Sequence, residues 1–183
     1  MDTSTKKRIC YPVLFYFYGP GGSRKTGFVR ELFNNNLYIK PQNSASNIDY
    51  WTDYKGQDVV LLDEYTKKIN WFTLLKLLND NSSEVEIEPN KFVSFNANYI
   101  FMINTKKPSE TYSYQFLERH LTYIIEFTGK WNSDIEKRTT DIIFHKGDEE
   151  KFHNMKWDIE YIKENINDIN TVKIQNQKID GKI

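Results

Sequence analysis

A glycine-rich segment near the start of the chain has the residue types of a phosphate-binding loop. Backbone N–H groups of such a loop can surround an oxyanion, and its lysine can reach the β- and γ-phosphates of a nucleoside triphosphate. The hydroxyl of the threonine that follows can hold Mg²⁺. The segment therefore predicts a site for ATP and Mg²⁺. Its residues are Gly19, Pro20, Gly21, Gly22, Ser23, Arg24, Lys25 and Thr26.

Arg24 departs from the usual form of this motif. The pattern G-x-x-x-x-G-K-S/T places glycine directly before the lysine, and here an arginine stands in that position. Its side chain either crowds the phosphates or points outward, because Gly21 and Gly22 retain conformational freedom. The sequence leaves both alternatives open.

Two carboxylates follow the second apolar run of the chain. Asp63 and Glu64 come directly after Val59–Leu62. Open α/β sheets bind ligands at the carboxyl ends of their strands. We expect Asp63 to bind Mg²⁺ through the water shell of the ion and Glu64 to polarise the water that attacks the γ-phosphate. The alternative is an ordinary acidic turn after a core strand.

Two further side chains can complete a catalytic set. Asn104 follows the apolar run Tyr99–Ile103, where its amide can lie between the carboxylates and the γ-phosphate and orient the attacking water. Arg119 can reach a nucleotide on a neighbouring subunit as an arginine finger. Without a nucleotide site, Asn104 is an ordinary turn residue and Arg119 a surface arginine.

The elements that position these residues alternate between strand and helix. This order predicts an α/β domain in which helices pack on the faces of a sheet. An apolar face indicates a helix that starts after a capping Asn70. The predicted strands are Val13–Tyr18, Val59–Leu62, Tyr99–Ile103 and Leu121–Phe127, the helices are Lys25–Phe33, Trp71–Leu78 and Ser113–His120, and a hairpin joins Val85–Ile87 to Phe92–Phe95 through Glu88, Pro89, Asn90 and Lys91.

Composition restricts the class of protein. The chain has 183 residues, which suits one compact domain, and its 25 lysines and arginines balance 25 aspartates and glutamates. A polybasic, histone-like protein is therefore excluded. One cysteine cannot form an internal disulfide, and three histidines have no zinc-ligand spacing. We expect an intracellular protein without a membrane span or a structural metal.

The residues after position 131 are more polar than those before it. Within them, apolar residues recur at steps of three and four, which predicts an amphipathic helix over about 148–170. This helix packs either on its own domain or on another subunit. The sequence thus predicts an amino-terminal extension over 1–12, a domain over 13–131 and a polar carboxy-terminal extension over 132–183.

Five motifs follow one another in the predicted domain. They are Gly19–Thr26, the Tyr54–Tyr65 segment with Trp51, Val85–Phe95, Tyr99–Asn104 with Pro108, and Phe116–Thr122. This set resembles the Walker A, Walker B, B-prime, C and arginine-finger motifs of the superfamily-three helicase domain in circovirus-like replication-initiator (Rep) proteins of circular single-stranded DNA viruses. The resemblance implies an α/β P-loop NTPase (AAA+-like) fold: a three-layer α/β/α core with a β-hairpin insertion, here followed by the carboxy-terminal helix.

The resemblance also implies an activity. Such domains form rings, typically hexamers, that hydrolyse ATP while moving along single-stranded DNA during rolling-circle replication in the host nucleus. The B-prime hairpin of the ring points into the channel, so Lys91 is expected to touch a nucleic-acid phosphate and Phe92 to support it or stack on a base. Glu88 in the same hairpin repels phosphate, which leaves an ordinary solvated hairpin as the alternative.

Other interpretations of the sequence remain open. Only eighteen residues precede the glycine loop, and no His-x-His sequence occurs, so we expect the chain to lack a nicking endonuclease domain. A degenerate module that binds nucleic acid or another subunit without hydrolysing ATP is the main alternative, and a small-molecule kinase is a weaker one. The motifs do not distinguish DNA from RNA, a fragment from a stand-alone protein, or one ring size from another.

Overall fold

The computed structural model describes residues 11–33, 36–41, 50–64, 71–79, 83–111, 118–132 and 137–147. The described strands and helices are interspersed along the chain. The strands are β1 (Val13–Tyr18), β2 (Leu37–Ile39), β3 (Val59–Leu62), β4 (Ser83–Glu88), β5 (Lys91–Phe95), β6 (Tyr99–Asn104), β7 (Leu121–Phe127), β8 (Lys130–Asn132), β9 (Lys137–Thr139) and β10 (Ile142–Lys146). The helices are α1 (Lys25–Leu32), α2 (Trp71–Leu78) and a single 3₁₀ turn at Pro108–Glu110.

Within the described residues, six strands form one sheet in the order β10, β7, β1, β6, β3, β2. All neighbours are parallel except β10, which runs antiparallel to β7. Parallel strands end at the same edge of a sheet, so the segments that follow β1, β6 and β3 lie side by side. Because β6 separates β1 from β3, Asn104 lies between the glycine loop and Asp63.

The two faces of the sheet are covered by different helices. Side chains alternate between the faces, so Phe15 of β1 points to one face and Tyr16 to the other. On the first face, Phe15 stacks on Phe101 with 4.4 Å between ring centroids, and Val29 attaches α1 to this cluster. On the second face, Leu74 brings α2 into the core. The mixed α/β fold with a mostly parallel sheet confirms the predicted fold class at this level.

An aromatic cluster attaches the β4–β5 hairpin to the second face. The ring centroid of Trp51 lies 5.7 Å from that of Tyr38 and 5.4 Å from that of Phe95. The backbone N–H of Trp51 also donates to the carbonyl of Glu86 at 2.8 Å. Both strands of the hairpin are therefore held against the segment that leads into β3.

Several predicted elements differ from those observed. The strands and the helix at β1, β3, α2 and β7 have the predicted bounds, whereas Glu88 and Lys91 belong to β4 and β5 and only Pro89 and Asn90 form the turn. Residues 118–120 form a turn instead of the end of the helix predicted over Ser113–His120, whose other residues lie outside the described part. Asn70 and the helix predicted over 148–170 also lie outside it. None of the described helices has the length and apolar character of a membrane span.

The central sheet extends past residue 131, where the sequence predicts the domain to end. Strand β10 was not predicted, and it pairs with β7 from Ile142 opposite Phe127 to Lys146 opposite Ile124. Its Ile142 is buried in the same cluster as Phe15. Part of the predicted polar extension therefore belongs to the α/β core.

Candidate functional site

The glycine loop leaves β1 through a tight turn against β7. Gly19 has φ 138°, and a Cβ there would overlap the carbonyl group of Phe127. Gly22 has φ 74°, in the left-handed region that favours glycine. These two glycines let the chain turn from the end of β1 into the start of α1 without a steric clash.

Arg24 takes the outward of the two orientations that the sequence leaves open. Its guanidinium bonds the carboxylate of Glu31 at 2.9 Å, and the two side chains are 48% and 46% exposed. Its backbone is left-handed, with φ 66° and ψ 11°. A side chain in that conformation costs about 1 kcal/mol relative to glycine, which explains why glycine is usual at this position.

The Lys25 side chain curls back into the loop. Its Nζ donates to the carbonyl oxygens of Gly19 and Pro20, both at 2.8 Å, and to Oγ of Ser23 at 3.1 Å. Burial lowers the pKa of Lys25 from its ordinary value, and the charge of Asp63 opposes that shift. A buried ammonium is thus held at the centre of a loop of backbone dipoles, where phosphate oxygens can replace the carbonyls as acceptors.

Thr26 and Asp63 meet although they are distant in the sequence. The Thr26 hydroxyl lies 3.0 Å from both carboxylate oxygens of Asp63. Mg²⁺ prefers oxygen ligands and usually takes one or two carboxylates, several waters and substrate phosphates. This hydroxyl and carboxylate, adjacent to the glycine loop, fit that requirement. The structure thus brings together the two residues predicted to hold the ion.

Glu64 and Asn104 lie at the same edge of the sheet as the glycine loop. Glu64 is exposed, has φ 46°, and donates its backbone N–H to Asp63 at 3.0 Å. Asn104 pairs with Tyr18 across β6 and β1, and its side-chain oxygen accepts N–H groups from Thr105 at 2.7 Å and from Lys106 at 3.2 Å. The sheet therefore places both residues beside Asp63.

Arg119 lies away from this group. It precedes the seven-residue strand β7, whose far end at Phe127 contacts Gly19. At about 3.3 Å per strand residue, roughly 20 Å separates Arg119 from the glycine loop of its own chain. Its Nε donates to His120 at 3.2 Å, and burial together with the charge of Arg119 lowers the pKa of His120. Arg119 thus lies at the amino ends of the parallel strands, and the glycine loop lies at their carboxyl ends.

The hairpin exposes both residues predicted to contact nucleic acid. Phe92 is 55% exposed, and Lys91 lies 3.4 Å from the carboxylate of Glu88, with both charged side chains largely in solvent. Exposed ion pairs of this kind contribute little to stability, so a polyanion can compete with Glu88 for Lys91. Lys91 and Phe92 belong to the hairpin and not to the edge that carries the glycine loop.

A polar cluster next to the glycine loop was missed in the sequence. The hydroxyl of Tyr18 donates to Oε2 of Glu126 at 2.9 Å, and Nε2 of His145 lies 2.8 Å from the same oxygen. Burial and the neighbouring Glu126 raise the pKa of Tyr18 beyond its usual range. Burial opposes the change at Glu126, but the bonds from His145 and Tyr18 hold its pKa below the ordinary value. A carboxylate between buried apolar residues of β7 is the sequence signal that indicates this cluster.

One comparison with known proteins identifies the domain. Residues 15–106, half of the chain, match the family model described as RNA helicase. The match includes the glycine loop, Asp63, Glu64, the hairpin and Asn104. No curated protein matches the chain significantly. The matched family is a superfamily-three helicase type of P-loop domain found in viral Rep and helicase proteins. Because the match covers half of the chain, this chain belongs to the RNA helicase family.

Proposed function

We propose that this chain is an ATP-driven motor that moves along single-stranded nucleic acid in viral rolling-circle DNA replication, as in circovirus-like Rep proteins. The observation that carries the proposal is the contact of Thr26 with both oxygens of Asp63. This contact joins the end of β3 to the start of α1 beside a buried lysine. It has the composition of a Mg²⁺–triphosphate site.

Each residue of the site has a role in hydrolysis. Lys25 would exchange its carbonyl partners for the β- and γ-phosphate oxygens, while Thr26 and Asp63 would hold Mg²⁺. When bound there, the ion would supply positive charge beside the phosphates. Glu64 orients a water and takes its proton as the water oxygen bonds to the γ-phosphorus and the bond to the ADP oxygen breaks. Asn104 contributes an amide beside the same water.

Arg119 acts on a neighbouring subunit. Because it lies at the edge of the sheet opposite its own glycine loop, a triphosphate within its reach belongs to another copy of the chain. An arginine supplied in this way stabilises the charge of the transition state. This arrangement supports a ring, and the resemblance to Rep helicases favours six subunits.

Lys91 and Phe92 provide the contact with nucleic acid. A lysine that pairs with a phosphate and an exposed aromatic ring that stacks on a base bind single strands with little sequence preference. Backbone and stacking contacts serve DNA and RNA alike. We propose single-stranded DNA as the track, and a comparison of DNA and RNA oligonucleotides decides between them.

Nucleic-acid-stimulated ATP hydrolysis tests the proposal. The wild-type protein is expected to hydrolyse ATP faster when a single-stranded oligonucleotide is added. Lys25→Ala should lower the rate about 100-fold or more, as for loss of one electrostatic group at a transition state. Lys76→Ala, which removes an exposed lysine of α2, is the matched control and should retain the rate. Unchanged hydrolysis in Lys25→Ala contradicts the assignment.

A degenerate, non-hydrolysing module is the second candidate, and the left-handed backbone of Arg24 favours it. Binding of a fluorescent ATP analogue separates the two functions. Binding by the wild-type protein supports the motor. Absence of binding that Arg24→Gly restores supports a module whose loop is blocked by the arginine.

A further inference from the structure

A buried threonine just before β10 contacts the glycine loop. Thr140 lies between β9 and β10, is 6% exposed, and donates its hydroxyl to the carbonyl oxygen of Ser23 at 3.3 Å. The two residues are 117 positions apart. Thr140 also lies outside residues 15–106, which match the helicase family.

Ser23 links Thr140 to the lysine of the loop. Ser23 is 1% exposed, and its hydroxyl accepts a hydrogen bond from Nζ of Lys25 at 3.1 Å. Its carbonyl group faces Thr140 and its side chain faces Lys25. The position of the Ser23 peptide therefore sets where the ammonium of Lys25 can lie.

The chain around Thr140 is itself fixed against the loop. The backbone N–H of Thr128 donates to the carbonyl of Asp141 at 3.0 Å, and the N–H of Asp141 donates to Oγ1 of Thr128 at 3.2 Å. A Cβ added to Gly129 would lie 2.7 Å from Cβ of Ser23. Since the backbone approaches Ser23 this closely, a shift of the segment would move the loop.

We propose that Thr140 is a positioning residue of the nucleotide site: through Ser23, it holds the glycine loop in the conformation that presents Lys25 to the triphosphate. Thr128, Gly129 and Asp141, which fix the backbone around Thr140 against the loop, are then structural parts of that site. This inference rests on the proposed function, because it requires the loop to bind a nucleotide. Positioning a charged group in advance avoids the cost of ordering it during binding.

Two substitutions of Thr140 test this role. Thr140→Val preserves the shape of the side chain and removes the hydroxyl, so KM for ATP and Kd of a fluorescent ATP analogue should rise about fivefold, the effect of losing one buried hydrogen bond. The kcat at saturating ATP should stay within about twofold, because the loss affects binding of substrate and transition state alike. Thr140→Ser retains the hydroxyl and should restore both constants. Thr52→Val, at an exposed threonine, is the matched control.

The outcomes separate this inference from the proposed function. Wild-type affinity in Thr140→Val, with binding lost in Lys25→Ala, overturns the role of Thr140 and leaves the motor intact. Equal binding by wild type and Lys25→Ala overturns the proposed function itself. Circular dichroism checks folding. Should Thr140→Val unfold, Thr140→Cys replaces the hydroxyl with a weaker donor and is expected to give an intermediate Kd. A folded Thr140→Ser protein that binds no better than Thr140→Val, or a folded Thr140→Cys protein that binds as tightly as wild type, contradicts the inference.

Discussion

At the scale of single residues, the site depends on charges that the fold holds close together. Lys25 is buried within a loop of carbonyl groups, and Thr26 lies 3.0 Å from both oxygens of Asp63. An ammonium, a hydroxyl and a carboxylate around one glycine turn can neutralise a triphosphate and its metal ion. The outward ion pair of Arg24 with Glu31 removes the arginine side chain from this group.

Asp63→Asn should separate nucleotide binding from hydrolysis. The amide keeps an oxygen near Thr26 but loses the charge that Mg²⁺ requires, so we expect the Mg²⁺-dependent rate to fall about 100-fold or more while ATP still binds Lys25. Titration of the hydrolysis rate with Mg²⁺ measures the effect. The control is Asp53→Asn, because Asp53 is exposed, has φ 66°, and asparagine tolerates that conformation. Equal Mg²⁺ dependence in Asp63→Asn and wild type would contradict the role of Asp63.

At the scale of elements, polar bonds join strands that are far apart in the sequence. Tyr18 of β1 and His145 of β10 both bond Glu126 of β7, beside the start of the glycine loop. The pairing of β10 with β7 is irregular between Phe144 and Lys146, so a bulge at His145 brings its ring to Glu126. These bonds hold the three strands together at the edge that carries the site.

Glu126→Gln should change the acid dependence of stability. The pKa of Glu126 is lowered in the folded state, so the unfolded state binds more protons between that lowered value and the ordinary 4.5. The charge of Lys107 also lowers the pKa of Glu126. The stabilisation of the fold by the ionised Glu126 is present above pH 4.5 and is lost as the pH falls through the folded-state pKa. Glu126→Gln should therefore be less stable than wild type at pH 7, with the difference shrinking below pH 4.5.

Urea unfolding between pH 7 and pH 3 measures this difference. Glu84→Gln, at an exposed glutamate of β4, is the charge-matched control. A constant difference between wild type and Glu126→Gln across that range would show that the carboxylate bonds do not stabilise the fold.

The proposed hairpin contact predicts that substitutions of Lys91 and Glu88 have opposite effects on the affinity for single-stranded nucleic acid. Lys91→Ala should weaken binding of a single-stranded oligonucleotide and lower the salt slope of its affinity by about 0.7, the value for one phosphate contact. Glu88→Gln should strengthen binding, since it removes a repelling carboxylate that also pairs with Lys91. Fluorescence anisotropy over a salt series gives both quantities, with Lys76→Ala as control. Unchanged affinity and slope in Lys91→Ala would exclude this hairpin contact.

At the scale of the whole molecule, the sheet separates the two groups of residues that form the proposed catalytic site. The glycine loop follows the carboxyl end of β1, whereas Arg119 precedes the amino end of the neighbouring parallel strand β7. In the proposed ring, identical subunits would bring the two groups together at every interface. ATP hydrolysis would then depend on assembly of the ring.

Mixing two inactive variants tests this arrangement. Lys25→Ala lacks a functional loop and Arg119→Ala lacks the finger, so each should be inactive alone. In mixed rings, an intact loop of one variant meets Arg119 of the other, and part of the ATPase activity should return. The control is Arg30→Ala, at an exposed arginine of α1. This variant should be active without being mixed with a second variant. Mixtures that never exceed the sum of the separate rates would argue against catalysis across an interface.

Local patterns predicted much of the fold but not the contacts that complete the site. The apolar runs of β1 and β3 end at glycine and aspartate, and those local signals locate the loop and the carboxylates. Strand β2 has only three residues, and β10 depends on pairing with β7, so neither has a clear pattern of its own. The bond from Thr140 to Ser23 joins distant positions through the strand order, which hydrophobic periodicity does not encode.

Calorimetric titration of Mg·ATP into the protein tests the central claim most directly, namely that the glycine loop with Lys25 binds a triphosphate. We predict saturable binding by wild type and by Lys76→Ala, and none by Lys25→Ala. Absence of binding by the wild-type protein, or equal binding by wild type and Lys25→Ala, would contradict the account.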